Sequence, residues 1–126
     1  MNLKLSEAVI GTYKQMIPAV LGYLEKGRAH YEAAGLDIND AVGVSLIEDM
    51  QPLHFQMVSV VHHSQNAINS AMSGDAGIPD FSLAFDYQGL VEHVEGALAA
   101  VESADLDALD ARANAPVTFR LRDREM

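Results

Sequence analysis

The chain has 126 residues, 49% of them hydrophobic, with 18 acidic against 8 basic side chains and a formal charge of −10. That composition calls for a packed core, and the negative balance argues against nucleic acid, whose phosphates need clustered Lys and Arg, and disfavours an anionic membrane surface. Cysteine is absent, which excludes disulfides and thiolate metal sites.

The first expected element is a long helix over about 6–34. Val9, Tyr13, Met16, Val20, Leu24 and Tyr31 recur at helical steps and predict its core-facing stripe. Ser6 suits its N-cap, Pro18 should bend it near Lys14, and Gly35 should stop it. Residues 35–50 then read as a connection laid across the bundle end, carrying apolar Leu36, Ile38, Val42, Val44, Leu46 and Ile47.

A second helix is expected over about 52–73, with Pro52 in its first turn, Asp49 as a cap and Gly74 as its stop. The 25 residues between Asp49 and Asp75 contain no Lys, Arg, Asp or Glu, yet include three histidines, three glutamines and two asparagines. At regular helical steps, Leu53, Met57, Val60, Val61, Ile68 and Ala71 share one face, while Gln56, Ser59, His63, Asn66 and Ser70 share another. A helix apolar on one side and neutral-polar on the other is expected at the centre, covered on both sides. Buried polar groups of this kind ordinarily hydrogen-bond to one another or to backbone. The functional alternative is a ligand pocket lined by Gln56, Ser59, His63 and Asn66.

Residues 73–86 read as loop, rich in glycine and small polar residues. Asp86 should cap a third helix over about 87–103, with Tyr87, Leu90, Val91, Val94, Leu98 and Val101 inward and Glu92, Glu95 and Glu102 in water. A short helical turn is expected before Pro116, and VTFRLR at 117–122 alternates as a strand that needs a partner. The expected class is therefore all-α: a bundle of three long helices with a short C-terminal strand, forming one domain over 1–126.

His54, His62 and His63 are the candidate metal ligands on the second helix. His54 and His62 lie roughly 12 Å apart along a helix axis and cannot share one ion. Adjacent His62 and His63 should diverge by about 100°, so at most one is expected to face a given site. No pair of histidines has the i, i+4 spacing of a helical zinc motif.

Residues 48–64, EDMQPLHFQMVSVVHHS, resemble the Asp-Met-x-Pro-Leu-x-x-Gln signature of a family known only as a domain of unknown function, grouped with the DinB/YfiT-like proposed metalloenzymes. The matching positions are Asp49, Met50, Pro52, Leu53 and Gln56; FDYQGLVEHVEGALAAVES and VTFRLR also resemble that family's third helix and hairpin. The resemblance implies a DinB-like up-and-down bundle. It also implies a fourth helix beyond the hairpin, here absent or supplied by a partner chain, and hence a homodimer or helix-swapped oligomer. DinB-like enzymes hold a divalent metal, zinc or nickel, with three histidines, of which His63 or His62 would be the second-helix member. The expected function is an oligomeric or ligand-binding module. The alternative is a metal-dependent thiol or small-molecule transferase whose site another chain completes. The opening MNLKLSEAVIGTYKQ lacks the apolar run of a secretion signal, and no segment is apolar enough to insert as a membrane helix, so a cytoplasmic protein is expected.

Overall fold

The computed structural model describes residues 2–126. Its elements in chain order are α1 (Leu5–Ala33), a 3-10 helix (Ile38–Gly43), α2 (Leu53–Val61), a π-helical turn (His62–Asn66), α3 (Ala67–Ser73) and β1 (Asp75–Ala76), then α4 (Tyr87–Glu102), α5 (Leu106–Ala111), β2 (Thr118–Leu121) and β3 (Arg124–Glu125). The protein is predominantly helical with a small three-stranded sheet.

α1 begins at Leu5, with Lys4 rather than Ser6 as its N-cap. Ser6 lies inside the first turn and is buried. Its N–H and hydroxyl both donate to the Asp110 carboxylate, at 2.8 and 2.9 Å. Besides the local Glu7, which accepts from the Lys4 N–H at 3.1 Å, an anion at this helix N-terminus comes from α5, 104 positions along the chain. The helix winds on through Pro18, which lies on its exposed side. It ends where Gly35 turns to φ 68° and Leu36 N–H reaches back to the Tyr31 carbonyl, as the sequence predicts. The buried residues are Ile10, Ile17, Val20 and Leu24. Of the expected stripe, Val20 and Leu24 are buried and Val9, Tyr13 and Tyr31 pack against the core, whereas Met16 is 56% exposed and Ile17 takes its place.

Ser6 holds the Asp110 carboxyl below its usual range, chiefly through the backbone N–H and then the hydroxyl, with the Lys4 charge adding to this and burial opposing it. A carboxyl with a depressed folded-state pKa stabilises the fold above its unfolded value, and that contribution fades as pH falls through the folded one. Asp110→Asn should therefore melt below wild type at neutral pH, and the gap should narrow in acid. Thermal melts at both pH values check this; an equal gap at both would show that the charge contributes nothing.

The second helical rod starts at Leu53 with Pro52 as N-cap; Asp49 is exposed and caps nothing. α2, the π turn and α3 run on without a break until Gly74 adopts φ 83°. This rod is not the centre of the molecule. α4 is: it lies against both α1 and α2, and Leu90, Val94 and Ala97 are fully buried. Asp86 caps α4 by accepting from the Gly89 N–H at 2.7 Å, as its sequence position predicts. The neutral-polar face of the second rod is not covered within the chain: His63 and Asn66 are exposed, and Gln56, Ser59 and Ser70 are half-buried. Its freedom from charge therefore does not come from burial on two sides.

The strand at the C-terminal end has partners on both sides. β2 pairs in parallel with β1 (Asp75↔Thr118, Ala76↔Phe119) and antiparallel with β3 (Arg120↔Glu125, Leu121↔Arg124). The first partner lies in the segment that reads as loop, because two residues are too few to show alternation. Arg120 on the central strand reaches Asp75 on β1 at 3.0 Å and also pairs with Glu125 on β3. Arg112 closes the other end of this layer by donating to the Ala71 carbonyl at 2.9 Å, where the last carbonyls of α3 want a cation. Among the described residues no helix is long and apolar enough to cross a membrane.

Candidate functional site

An apolar cleft of about 500 Å³ lies between α1, the 3-10 helix and the start of α2. α1 contributes Tyr23, Leu24, Gly27 and Tyr31. The Tyr-Gly-Tyr spacing of four residues sets a small residue between two rings on one face, which notches the helix surface. Ile38, Ala41, Val44 and Leu46 form the second wall, and Met50, Leu53, Gln56 and Met57 the third. Tyr87, at the first turn of α4, also lines it. Its N–H donates to Asn39 Oδ1 at 3.0 Å and its hydroxyl to the Leu24 carbonyl at 2.5 Å, so one residue joins three elements.

Sequence reasoning found one residue of this lining as a ligand candidate, Gln56. It missed the aromatic wall, although the glycine between Tyr23 and Tyr31 was a usable signal. The lining contains no carboxylate, amine or imidazole. Burial raises the phenol pKa of Tyr23, and raises that of Tyr87 against an opposing pull from the Arg28 charge, so both stay neutral at ordinary pH. These groups can bind; they offer no general base at neutral pH.

The candidate metal-ligating histidines lie elsewhere, at two separate places. His54 is half-buried, with Nε2–H donating to the Leu83 carbonyl at 2.7 Å. Its ring stands 6.1 Å from Phe85, which stacks on His93 at 4.7 Å. Phe81 stacks on Phe55 at 4.3 Å, so the same loop is fixed to α2 by two aromatic contacts and a hydrogen bond. His54 thus holds a loop in place.

His62 and His63 open the π-helical turn, with ring centroids 5.0 Å apart and planes at 84°. Both line one groove of about 330 Å³ with Ala76, Gly77, Val117 and Phe119. This corrects the expectation that only one of them could face a given site. The wider π turn advances less per residue than an α-helix, so consecutive side chains stay closer. Ser64, buried in the same turn, donates its hydroxyl to the Val60 carbonyl at 2.7 Å and supports the altered winding. Burial first, then the neighbouring His63, lowers the His62 pKa and favours its neutral ring.

Gln56 in the cleft and His63 in the groove are therefore not parts of one pocket. Ser59 and Asn66 line neither. The π turn shifts the helical phase between residues 61 and 67, and Gln56 and His63 line different concavities. Among the described residues no group of three or more His, Asp or Glu side chains could hold a metal ion.

Three positions of the Asp-Met-x-Pro-Leu-x-x-Gln stretch, Met50, Leu53 and Gln56, meet in the cleft. No curated protein and no solved structure matches the chain. A family model does match, over residues 5–126, and the chain belongs to that family, described as Domain of unknown function (DUF1993).

Proposed function

We propose that the chain is a ligand-binding helical module, one domain on a DinB-like up-and-down plan, with the cleft as its binding site. The observation that carries this reading is the convergence of Met50, Leu53 and Gln56 on a concavity of about 500 Å³, well within the size range of small-molecule sites. A fragment screen read by amide shifts of labelled protein tests it. Hits should move Gly27, Leu46 and the Gln56 side chain. Hits that leave those resonances still, or a screen with none, count against the site.

The same reading includes self-association through the outer face of the second rod. This face is neutral on a chain of formal charge −10, and it leaves His63 and Asn66 in water. Copies that repel over most of their surface can meet where charge is absent. Sedimentation should show a dimer that Asn66→Glu weakens; a monomer across the accessible concentration range ends this part of the proposal.

A second reading, a divalent-metal-dependent transferase of the DinB-like class, draws on His62 and His63 standing 5.0 Å apart in one groove. Two imidazoles do not complete a three-histidine site, and His54 is committed to Leu83. The residues of a single chain therefore do not fit the group, and further ligands would have to come from another chain. Calorimetric titration with nickel and zinc decides: binding near one ion per two chains, abolished by His63→Ala, would favour this reading over the first.

A further inference from the structure

We infer that the cleft takes an uncharged, largely apolar molecule carrying one hydrogen-bond donor, received by Gln56. This rests on the cleft being the binding site and specifies what enters it.

None of the thirteen residues lining the cleft is charged. An ion entering it would lose hydration and meet no opposite charge, a loss that neutral compounds do not incur. The formal charge of −10 adds a general field against anions. The walls are aliphatic and aromatic, from Leu24, Ile38, Leu53 and Met57 to Tyr23 and Tyr31, and suit a ring or a branched hydrocarbon.

Four side chains of the lining are polar, Tyr23, Tyr31, Gln56 and Tyr87; the Tyr31 hydroxyl can donate or accept, and the other three narrow the class further. The Tyr87 hydroxyl is taken by the Leu24 carbonyl at 2.5 Å. The Tyr23 hydroxyl is directed at Met57 Sδ, 3.9 Å away. Gln56 Nε2 donates to the Gln51 carbonyl at 3.2 Å, which fixes the sense of its amide because a carbonyl accepts only from the nitrogen. Oε1 is then the acceptor that Gln56 brings to the cleft, with no protein partner among the described residues. An N–H or O–H on an otherwise apolar molecule satisfies it.

The cleft also has features of a small-molecule site that a simple seam between helices lacks. The 3-10 helix, which is locked to α4 by Asn39 and to its own start by Asp37, adds a wall from outside the helix pair. Two other depressions along α1 and the second rod are smaller, about 140 and 210 Å³.

Four probes of matched size test the class, each titrated into labelled protein and followed at Gly27, Leu46 and the Gln56 side-chain amide. They are 4-tert-butylphenol, tert-butylbenzene, (4-hydroxyphenyl)trimethylammonium and 4-hydroxybenzenesulfonate. The phenol should bind more than roughly tenfold tighter than either ion. Gln56→Leu should weaken the phenol roughly fivefold and leave tert-butylbenzene unchanged, since a single hydrogen bond is removed. Val44→Trp should block all binding; Val44 is 47% exposed, so the substitution fills the cleft without entering the core.

If the ammonium or the sulfonate matches the phenol at these residues, the inference fails while the cleft remains a binding site. If Gln56→Leu weakens both neutral probes alike, the assigned acceptor is wrong. If no probe moves these residues, the cleft itself is not the site. Shifts there that follow protein concentration without any probe would assign it to a second copy of the chain and overturn the inference.

Discussion

Replacing Leu90 by alanine should cost about 3 kcal/mol of stability, within the ~2–5 kcal/mol span of leucine truncations in rigid cores. In a chain of this size that lowers the melting temperature by about 10 °C. Leu90 is fully buried, on the helix that packs against both α1 and α2. A cavity there opens where helices on two sides would have to move together to close it. The adjacent core residues Val94 and Ala97 are equally buried and too small to swing into the gap. Urea titration should show the midpoint falling with an unchanged slope, the sign of lost stability without a change in the surface exposed on unfolding. Leu106→Ala is the control: Leu106 is 45% exposed and should cost well under ~1 kcal/mol. Similar losses for the two variants would mean that α4 is not the centre of the fold.

Tyr87 carries the second large effect, because it links the core to the cleft. Tyr87→Ala should cost about 3–5 kcal/mol, as large aromatic truncations do, and should also abolish binding in the cleft by removing part of its lining. Tyr87→Phe separates ring from hydroxyl. It keeps the packing and loses the bond to the Leu24 carbonyl, for a cost of about 1 kcal/mol. A Cβ at Gly27 would come within 3.3 Å of that hydroxyl, so the notch in α1 serves the phenol as well as the cleft.

Wild type and Tyr87→Phe also differ in alkali. Burial raises the Tyr87 pKa above 10.0, and the Arg28 guanidinium, 5.3 Å from the ring centroid, only partly offsets it. The folded state therefore holds the phenolic proton more tightly than the unfolded chain, and stability falls as pH rises past 10.0. Tyr13 and Tyr23 share this behaviour, so Tyr87→Phe should reduce the alkaline slope without removing it. Denaturant midpoints on either side of that pH check the difference; an unchanged slope would mean that Tyr87 contributes nothing to it.

Local signals were enough where an element's causes lie within a few residues. α4 was legible because its cap Asp86, its inward positions Tyr87, Leu90, Val94 and Val101, and its outward glutamates all occur within one stretch. The ends of α1 and α3 were legible because Gly35 and Gly74 take the positive φ that other residues resist. The strand at Thr118–Leu121 showed itself by alternation.

The tertiary structure decided what depends on residues far apart or on phase. One anion over the start of α1 is Asp110, which no local pattern connects to Ser6. The π turn at His62–Asn66 adds no unusual residue type, yet it shifts the phase of everything after it and brings two adjacent histidines into one groove. Gln56 and His63, read from the sequence as one stripe, line different concavities, the cleft and the groove. The cleft drew its walls from α1, the 3-10 helix, the start of α2 and the first turn of α4. The sequence alone determined where the long helices run and which segment is charge-free, because periodicity and composition act over a few turns; the 3-10 helix within the 35–50 connection is too short to show a period. Which of their faces meet was settled by packing, which set α4 against both α1 and α2 through contacts between residues far apart in the chain.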